Sequence, residues 1–402
     1  MNHNEQLQRI RDRIGSAPAW QTFLVVFLPV LGLYLLTMQT DNVESNFDAV
    51  AAALPGWRFA LFGDIDLTQF EQLPFIFEVE GRIVSNRPPG ISFLSTPLYW
   101  LVGERSFTGM VPSLLPATAM AATTSAAAMG VLHLILRRLT TPMYAMAGAL
   151  VFAVGTSTWS ISANELWPHG PAQLFLALAV LALASERFLG SGLGFGFAVL
   201  IRPVTAIIAA VTGLWHGWKA RAWKPIALIG LGAAAGLGTL LLYNHQVLDT
   251  WSPAPAGYGE GFINRAGNQS VFGYLGDVVG FLFHPKYSVF VFSPFLLFTI
   301  PGLRNAWKSA PAWTKASAIG GVVYILIHLR LNRFWGGLAF NYRYALEFLI
   351  MLSPLLYLSW HAWYHKTTDV GRRAFWYSVA VSVAAQVIAI NVGFVNGSLV
   401  TA

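Results

Sequence analysis

Three carboxylates, Asp41, Glu44 and Asp48, follow directly on an apolar run that ends near Met38. They open a polar insertion of roughly seventy residues, from Gln39 to about Phe107. A carboxylate held at a membrane surface can take a proton from an attacking hydroxyl. On a helix begun at Asp41, Glu44 shares its face at three residues' spacing and Asp48 lies two turns along, so the three are rivals for that task. Arginines accompany them, at Arg58, Arg82, Arg87 and Arg105, and again at Arg265, Arg330, Arg333 and Arg343, with Lys286 the one lysine. A guanidinium is planar and donates in pairs, which suits capture of a phosphate. Base and cations together ask for an anionic, phosphate-bearing ligand; lipid head groups or loop carboxylates suit any single arginine equally well.

The elements that position these groups are read from composition. The chain has 402 residues, 55% hydrophobic and 11% charged, with 15 Trp and 28 Phe, which excludes an ordinary soluble domain. Trp20 to Met38 is uncharged and long enough to cross a hydrocarbon core of about 30 Å. The stretch before it, with Arg9, Arg11 and Arg13, is too long for a cleaved signal peptide, so the first span is kept and the N-terminus is cytoplasmic. With no cysteine there is neither a disulfide framework nor a thiolate metal site. The net charge of +7 calls for no nucleic acid, because excess Lys and Arg in a membrane protein first sets topology.

Further apolar runs fall at about 109–136, 142–160, 171–184, 225–243, 287–303, 318–329, 345–360 and 375–394. The basic clusters at 137–138, 187, 219–224, 304–315 and 366–373 place five connections on the cytoplasmic side. Leu189 to Gly217 then has the length of one span but cytoplasm at both ends. Arg202-Pro203 sits in its middle, where proline removes a backbone donor and an intramembrane arginine must face protein or water. Two half-helices in a re-entrant hairpin with Arg202 near its tip resolve the conflict. The expectation is an all-α, polytopic integral membrane protein, a single domain over 1–402, with about nine full spans plus that hairpin. Loops 39–107, 161–170, 244–286 and 330–344 then share the non-cytoplasmic face. No internal repeat is visible, which weighs against a transporter built of two halves.

Within the first external loop, Asn86-Arg87-Pro88-Pro89-Gly90 precedes an apolar stretch from Ile91 to Val102 that is short for a span and suits a helix lying at the interface. Phe47 to Phe62 offers a second such helix, with Pro55-Gly56 interrupting it. Glu165 and His169 lie in a short external loop, where Pro168 weakens the helix that would put them on one face. A metal there would want a further ligand such as Asp41 or His284, and nothing local supplies it, so no cofactor is assigned and a divalent metal is left open but not favoured.

At these residues the chain resembles a known superfamily. A first span followed by acidic residues, two interfacial helices in the first external loop and a Pro-Pro segment before the second span are similar to the GT-C membrane glycosyltransferases that use polyprenyl-phosphate sugars. Four further stretches resemble a bacterial branch related to protein O-mannosyltransferases and lipid A aminoarabinose transferases. They are Glu165-Leu166-Trp167-Pro168-His169-Gly170-Pro171; Leu200-Ile201-Arg202-Pro203; the run from Tyr243-Asn244 through Gly257-Tyr258 to Phe283-His284-Pro285-Lys286 and Phe292-Ser293-Pro294; and Trp335-Gly336-Gly337 leading to Tyr342-Arg343-Tyr344.

The resemblance implies a GT-C-like fold and a polyprenyl-phosphate-dependent hexosyl or pentosyl transferase of the bacterial inner membrane and cell envelope. It implies the catalytic aspartate directly after the first span, hence Asp41. Arg87, Arg202, Lys286 and Arg343 are the candidates for the donor phosphate. Asp48, Glu165, His169, Tyr258, His284 and Tyr344 are the candidates for the rest of the substrate. For Arg202 the competing account is a buried ion pair with Glu165 or Glu347; for Lys286 it is snorkelling at the interface. Implied partners are a polyprenyl-phosphate sugar, membrane lipids and a glycan, lipid or protein acceptor. A flippase for a lipid-linked sugar would need the same arginine-lined cavity without the chemistry.

Overall fold

A computed structural model describes residues 17–39, 46–254, 258–336 and 341–395. In chain order the helices and strands are α1 (Ala19–Thr37), α2 (Phe47–Phe62), β1 (Ile76–Val79), β2 (Arg82–Ser85), α3 (Pro89–Ser92), α4 (Thr96–Val102), α5 (Leu115–Leu136), α6 (Pro142–Gly155), α7 (His169–Leu183), α8 (Phe188–Ile201) and α9 (Ala206–Ala220). They continue as α10 (Trp223–Leu248), α11 (Tyr258–Asn268), α12 (Val271–Phe283), α13 (Val289–Phe292), α14 (Leu303–Ser309), α15 (Ala312–Leu331), α16 (Leu346–Tyr364) and α17 (Asp369–Val395). Among the described residues, α1, α5, α10, α15 and most of α17 are long and apolar enough to cross a membrane, and α6, α7, α8 and α12 are shorter apolar helices. The protein is a helical membrane protein.

The Arg202-Pro203 break behaves as its chemistry requires. A residue before proline is driven out of the helical region, and Arg202 is extended at φ −145°, ψ 95°. Thr205 closes the turn by donating its hydroxyl to the Arg202 carbonyl at 2.8 Å. Glycines fix the directions of the flanking helices. Gly192 and Gly196 of α8 pack on Gly232 and Gly236 of α10, so close that a Cβ on Gly232 would lie 2.5 Å from the Gly192 carbonyl carbon. Ascending numbers meet ascending numbers, so α8 and α10 are parallel. Gly213 and Gly217 of α9 meet Ile229 and Ile226 of α10 in descending order, so α9 runs back. The segment from 188 to 220 is therefore a hairpin with Arg202 at its tip.

The run from 287 to 303, expected as one span, is instead a short α13 followed by a 3₁₀ stretch, Pro294–Thr299. Pro294 cannot donate, and Ser293, non-helical at φ −137° and ψ 61°, turns its hydroxyl to the Gly155 carbonyl at 2.7 Å. Phe47–Phe62 departs in the other direction, as one helix straight through Pro55. Pro55 leaves the Ala51 carbonyl without its helical donor, and the Ser85 hydroxyl takes that place at 2.7 Å. The apolar stretch from 91 to 102 forms two pieces, α3 and α4, rather than one helix.

The 39–107 loop also carries a β-hairpin that the all-α expectation did not include. β1 and β2 are antiparallel, with Ile76 opposite Ser85 and Val79 opposite Arg82. Glu80 and Gly81 join them at φ 49° and 75°, the doubly positive pair that suits the twist of a two-residue hairpin turn. The loop has its own apolar core around Trp57, which meets Phe62, Phe70 and Phe107 edge to face at 5.4–5.9 Å. Outward, Phe59, Trp100 and Leu101 remain exposed on α2 and α4, the apolar face expected of helices lying at an interface.

Contacts gather the connections at 39–107, 161–170, 244–286 and 330–344 at one end of the bundle. The Gln39 amide donates to the Asn164 carbonyl, Arg82 to the Gln246 carbonyl, Arg330 to the Gln269 carbonyl, and the Asn341 amide to the Lys286 carbonyl. At the other end, Arg137 donates to Thr22 and Arg138 to Ser185, joining the N-terminal, 137–138 and 184–187 segments. Gly90 ties the 39–107 loop to the hairpin tip: a Cβ there would lie 2.6 Å from the Leu200 carbonyl carbon.

Candidate functional site

Asn46 caps α2 with its side-chain oxygen, accepting from the Ala49 amide at 3.4 Å, and its amide nitrogen donates to the Glu165 carboxyl. This places Asp48 in the first turn of α2, where a carboxylate is favoured by the helix dipole. Arg87, just past β2, meets Asp48 Oδ1 at 2.6 Å, and Arg343 Nη1 approaches Asp48 Oδ2 at 3.8 Å. Each guanidinium rests on aromatic rings. Arg87 lies 4.1 Å from the Phe75 ring centroid; Arg343 lies 4.3 Å from Trp167 and 5.2 Å from Tyr344. Among the described residues, three segments far apart in sequence thus bring two guanidinium groups to one carboxylate, all three side chains half-buried.

A second, deeper layer lies behind Tyr344. Arg202 sits 5.3 Å from the Tyr344 ring, which Arg343 approaches at 5.2 Å. Its Nε is 3.4 Å from Glu347 Oε1, and its Nη1 lies 3.2 Å from both nitrogens of His169. His169 Nδ1 is 2.8 Å from the same Glu347 oxygen, and the Tyr324 hydroxyl donates to Oε2 at 3.3 Å. All four side chains are buried, Glu347 completely. His328 packs against Tyr344 at 4.4 Å, and Asn332 donates to the Tyr344 hydroxyl at 3.1 Å. The buried arginine has the Glu347 ion pair as its counter-charge, the arrangement without which burial of either charge would cost several kcal/mol.

Glu165 lies between the layers and the external loop. Burial, reinforced by the charge on Asp48 and opposed by Arg343, pushes its carboxyl up to about 8. At neutral pH it is largely an uncharged acid. It borders a small cavity of about 20 Å³ with Gln39, Asn46, Ala49, Thr118 and Leu166.

The sequence candidates are thus distributed unevenly. Asp48, Arg87, Arg343 and Tyr344 come together; Glu165 is beside them through Asn46; His169 and Arg202 form the layer behind. Glu165 and His169 turn to different partners despite their spacing. Lys286 is exposed, and its amide donates to His284 Nδ1 at 3.1 Å while His284 stacks on Tyr287. No described contact joins either side chain to Asp48. Asp41 and Glu44 lie outside the described residues, as does the Tyr258 side chain. Among the described residues no three His, Asp or Glu side chains gather as a metal-binding group.

Sequence reasoning passed over Asn46, Trp167, Tyr324 and Asn341. Asn341 is buried at φ 79° and accepts from Ser157 at 2.7 Å while donating to Ser160 at 3.0 Å and Gln386 at 2.8 Å. It anchors the segment that carries Arg343. An asparagine two residues ahead of the arginine was a weak signal, since such side chains tolerate positive φ. Glu347 was the stronger one, a carboxylate inside an apolar run.

Helices long and apolar enough to cross a membrane, with a layer of short helices, a β-hairpin and a cluster of charged side chains at one end, define an integral membrane protein. No protein-family model matches the chain, and no curated protein sequence does. Its fold is similar to that of a solved structure, ArnT from Cupriavidus metallidurans bound to undecaprenyl phosphate, with a TM-score of 0.55 and 13% sequence identity. The match covers 92% of this chain and 76% of that one.

Proposed function

We propose that this protein is a membrane glycosyltransferase of GT-C type that moves a hexosyl or pentosyl group from a polyprenyl-phosphate donor to an acceptor hydroxyl on the non-cytoplasmic face of a bacterial inner membrane. The observation that carries the reading is the meeting of Arg87 and Arg343 at Asp48, at the loop-bearing end of a fold shared with a protein crystallised with undecaprenyl phosphate.

The chemistry needs one base and a clamp for the leaving group. Asp41, the first acid after α1, takes the proton of the acceptor hydroxyl as its oxygen attacks the anomeric carbon. The bond from that carbon to the phosphate oxygen breaks, its electron pair stays on the phosphate, and the anomeric centre inverts. Arg87 and Arg343 stabilise the charge that develops there, a contribution that grows in a site with little water. Lys286 can add a third cation from the exposed side, while Arg202 acts from behind Tyr344. Asp48 holds the two arginines apart and aimed before the donor arrives. Glu165 and His169, with Tyr258, His284 and Tyr344, frame the sugar and acceptor.

Purified protein in lipid nanodiscs, supplied with radiolabelled polyprenyl-phosphate mannose, arabinose and aminoarabinose, tests this. Transfer to a glycan, lipid or protein acceptor that is lost in Asp41→Asn is the expected result. Donor moved across the bilayer but never cleaved would replace the enzyme with a flippase.

A further inference from the structure

A second pair of groups with chemistry lies at the end of the bundle opposite the charged site. α5 begins beside Glu165 and ends at Leu136, near where Thr140 meets the Tyr357 hydroxyl of α16. One turn beyond Tyr357 stands His361, and His365 follows four residues later as the cap of α16. Their Nε2 atoms are 3.1 Å apart. Tyr144 of α6 stands edge-on to both rings, at 5.5 and 5.2 Å between centroids, and the two imidazoles are inclined at 64° to one another with centroids 4.4 Å apart.

We propose that His361 and His365 form a bidentate site for a divalent transition-metal ion such as zinc or copper, separate from the sugar-transfer site. Nitrogens bound at 2.0–2.1 Å lie about 3.4 Å apart in a tetrahedral array and about 2.9 Å apart when cis in an octahedral one. The observed separation falls between these values. Imidazole is a favoured ligand for such ions, and the negative end of the α16 dipole adds attraction for a cation. Without metal, one Nε2–H donates to the other ring. On binding, both rings carry their protons on Nδ1, both Nε2 lone pairs face the ion, and water completes its shell. His365 is exposed, so the ion reaches the site from solvent.

The test uses the full chain, purified through a tag that contains no histidine. Cu²⁺ is titrated and followed by electron paramagnetic resonance, and Zn²⁺ is added as competitor. The expected result is a stoichiometric Cu²⁺ with imidazole-nitrogen couplings that Zn²⁺ displaces, lost in His361→Gln and in His365→Gln but kept in His245→Gln. His365 sits in solvent at a helix end, so its exchange leaves the fold intact even if His361→Gln does not fold. Cu²⁺ binding and couplings unchanged in His365→Gln, or no stoichiometric binding by the wild type, would overturn the proposal. An ordinary imidazole hydrogen bond would then be all that the pair represents.

Discussion

Breaking the Arg202–Glu347 pair one side at a time should cost far more stability than removing both charges. At 3.4 Å and an effective dielectric of about 20 the gross attraction is about 5 kcal/mol. Both groups are buried, so a single exchange leaves an uncompensated charge in the protein interior. Arg202→Met and Glu347→Gln should each lower the unfolding free energy by about 3–5 kcal/mol. The double variant carries no charge; the amide oxygen that replaces one Glu347 carboxylate oxygen still accepts from His169, while the amide nitrogen, in place of the other, donates to the Tyr324 hydroxyl, so it should lie within about 1 kcal/mol of the wild type. The thermodynamic cycle then gives a coupling of several kcal/mol. Reversible denaturant unfolding in mixed micelles, followed by tryptophan fluorescence, measures all four corners. Single exchanges that cost under about 1 kcal/mol, or costs that simply add, would refute the account of a mutually dependent buried pair. The double variant also separates Arg202's two roles. If it keeps its stability but loses transfer, the guanidinium acts on the donor; if it keeps both, Arg202 serves only to balance Glu347.

Glu165→Gln should flatten the dependence of stability on pH. The folded-state value of about 8 lies above the ordinary carboxylate value, so the contribution of the bound proton is fully present below pH 4.5 and is lost as pH rises towards 8. In that window the wild type should lose up to about 1.4 kcal/mol per pH unit relative to the variant, which thermal unfolding from pH 5 to 8 will show; parallel curves would contradict it. Gly90→Ala should be damaging although the residue is small, because the new Cβ meets the α8 backbone at 2.6 Å. Strain of about 1–3 kcal/mol or a displaced Arg87 should follow, read as a lower melting temperature and a raised KM for donor.

The helices were legible because hydrocarbon thickness and charge clusters constrain them strongly, and the Arg202-Pro203 hairpin followed from a single conflict between length and topology. The interior of the first external loop was not legible. Its continuity through Pro55 depends on Ser85, a residue 34 positions from Ala51, supplying the missing donor. A proline's local penalty is readable in a sequence; its remedy from a distant strand is not. The β-hairpin was missed for a different reason. Its turn, Glu80-Gly81, is a weaker signal than Asn-Gly, and its strands are only four residues long.

The site residues divide along the same line. Arg87 and Arg343 were singled out because positive charge in those loops asks for a local reason, and Asp48 as one of three acids after the first span; the structure brings the three side chains together. Their mutual geometry is set by uncharged groups: Asn46 caps the helix that carries Asp48, Ser85 accepts from the Arg87 amide at 3.2 Å, and Trp167 and Tyr344 support Arg343. Asn341 fixes the backbone next to Arg343 through bonds to Ser157, Ser160 and Gln386, which lie on two further elements. Such groups contribute by preorganisation: they hold cations at the place where negative charge develops, so that little reorientation is needed during the reaction. A sequence reveals which side chains can bear charge, while the neutral hydrogen bonds that aim them come from residues whose types are common and whose partners are remote. In the proposed reaction, the work of Arg87 and Arg343 therefore rests as much on Asn46, Ser85, Trp167 and Asn341 as on their own charge.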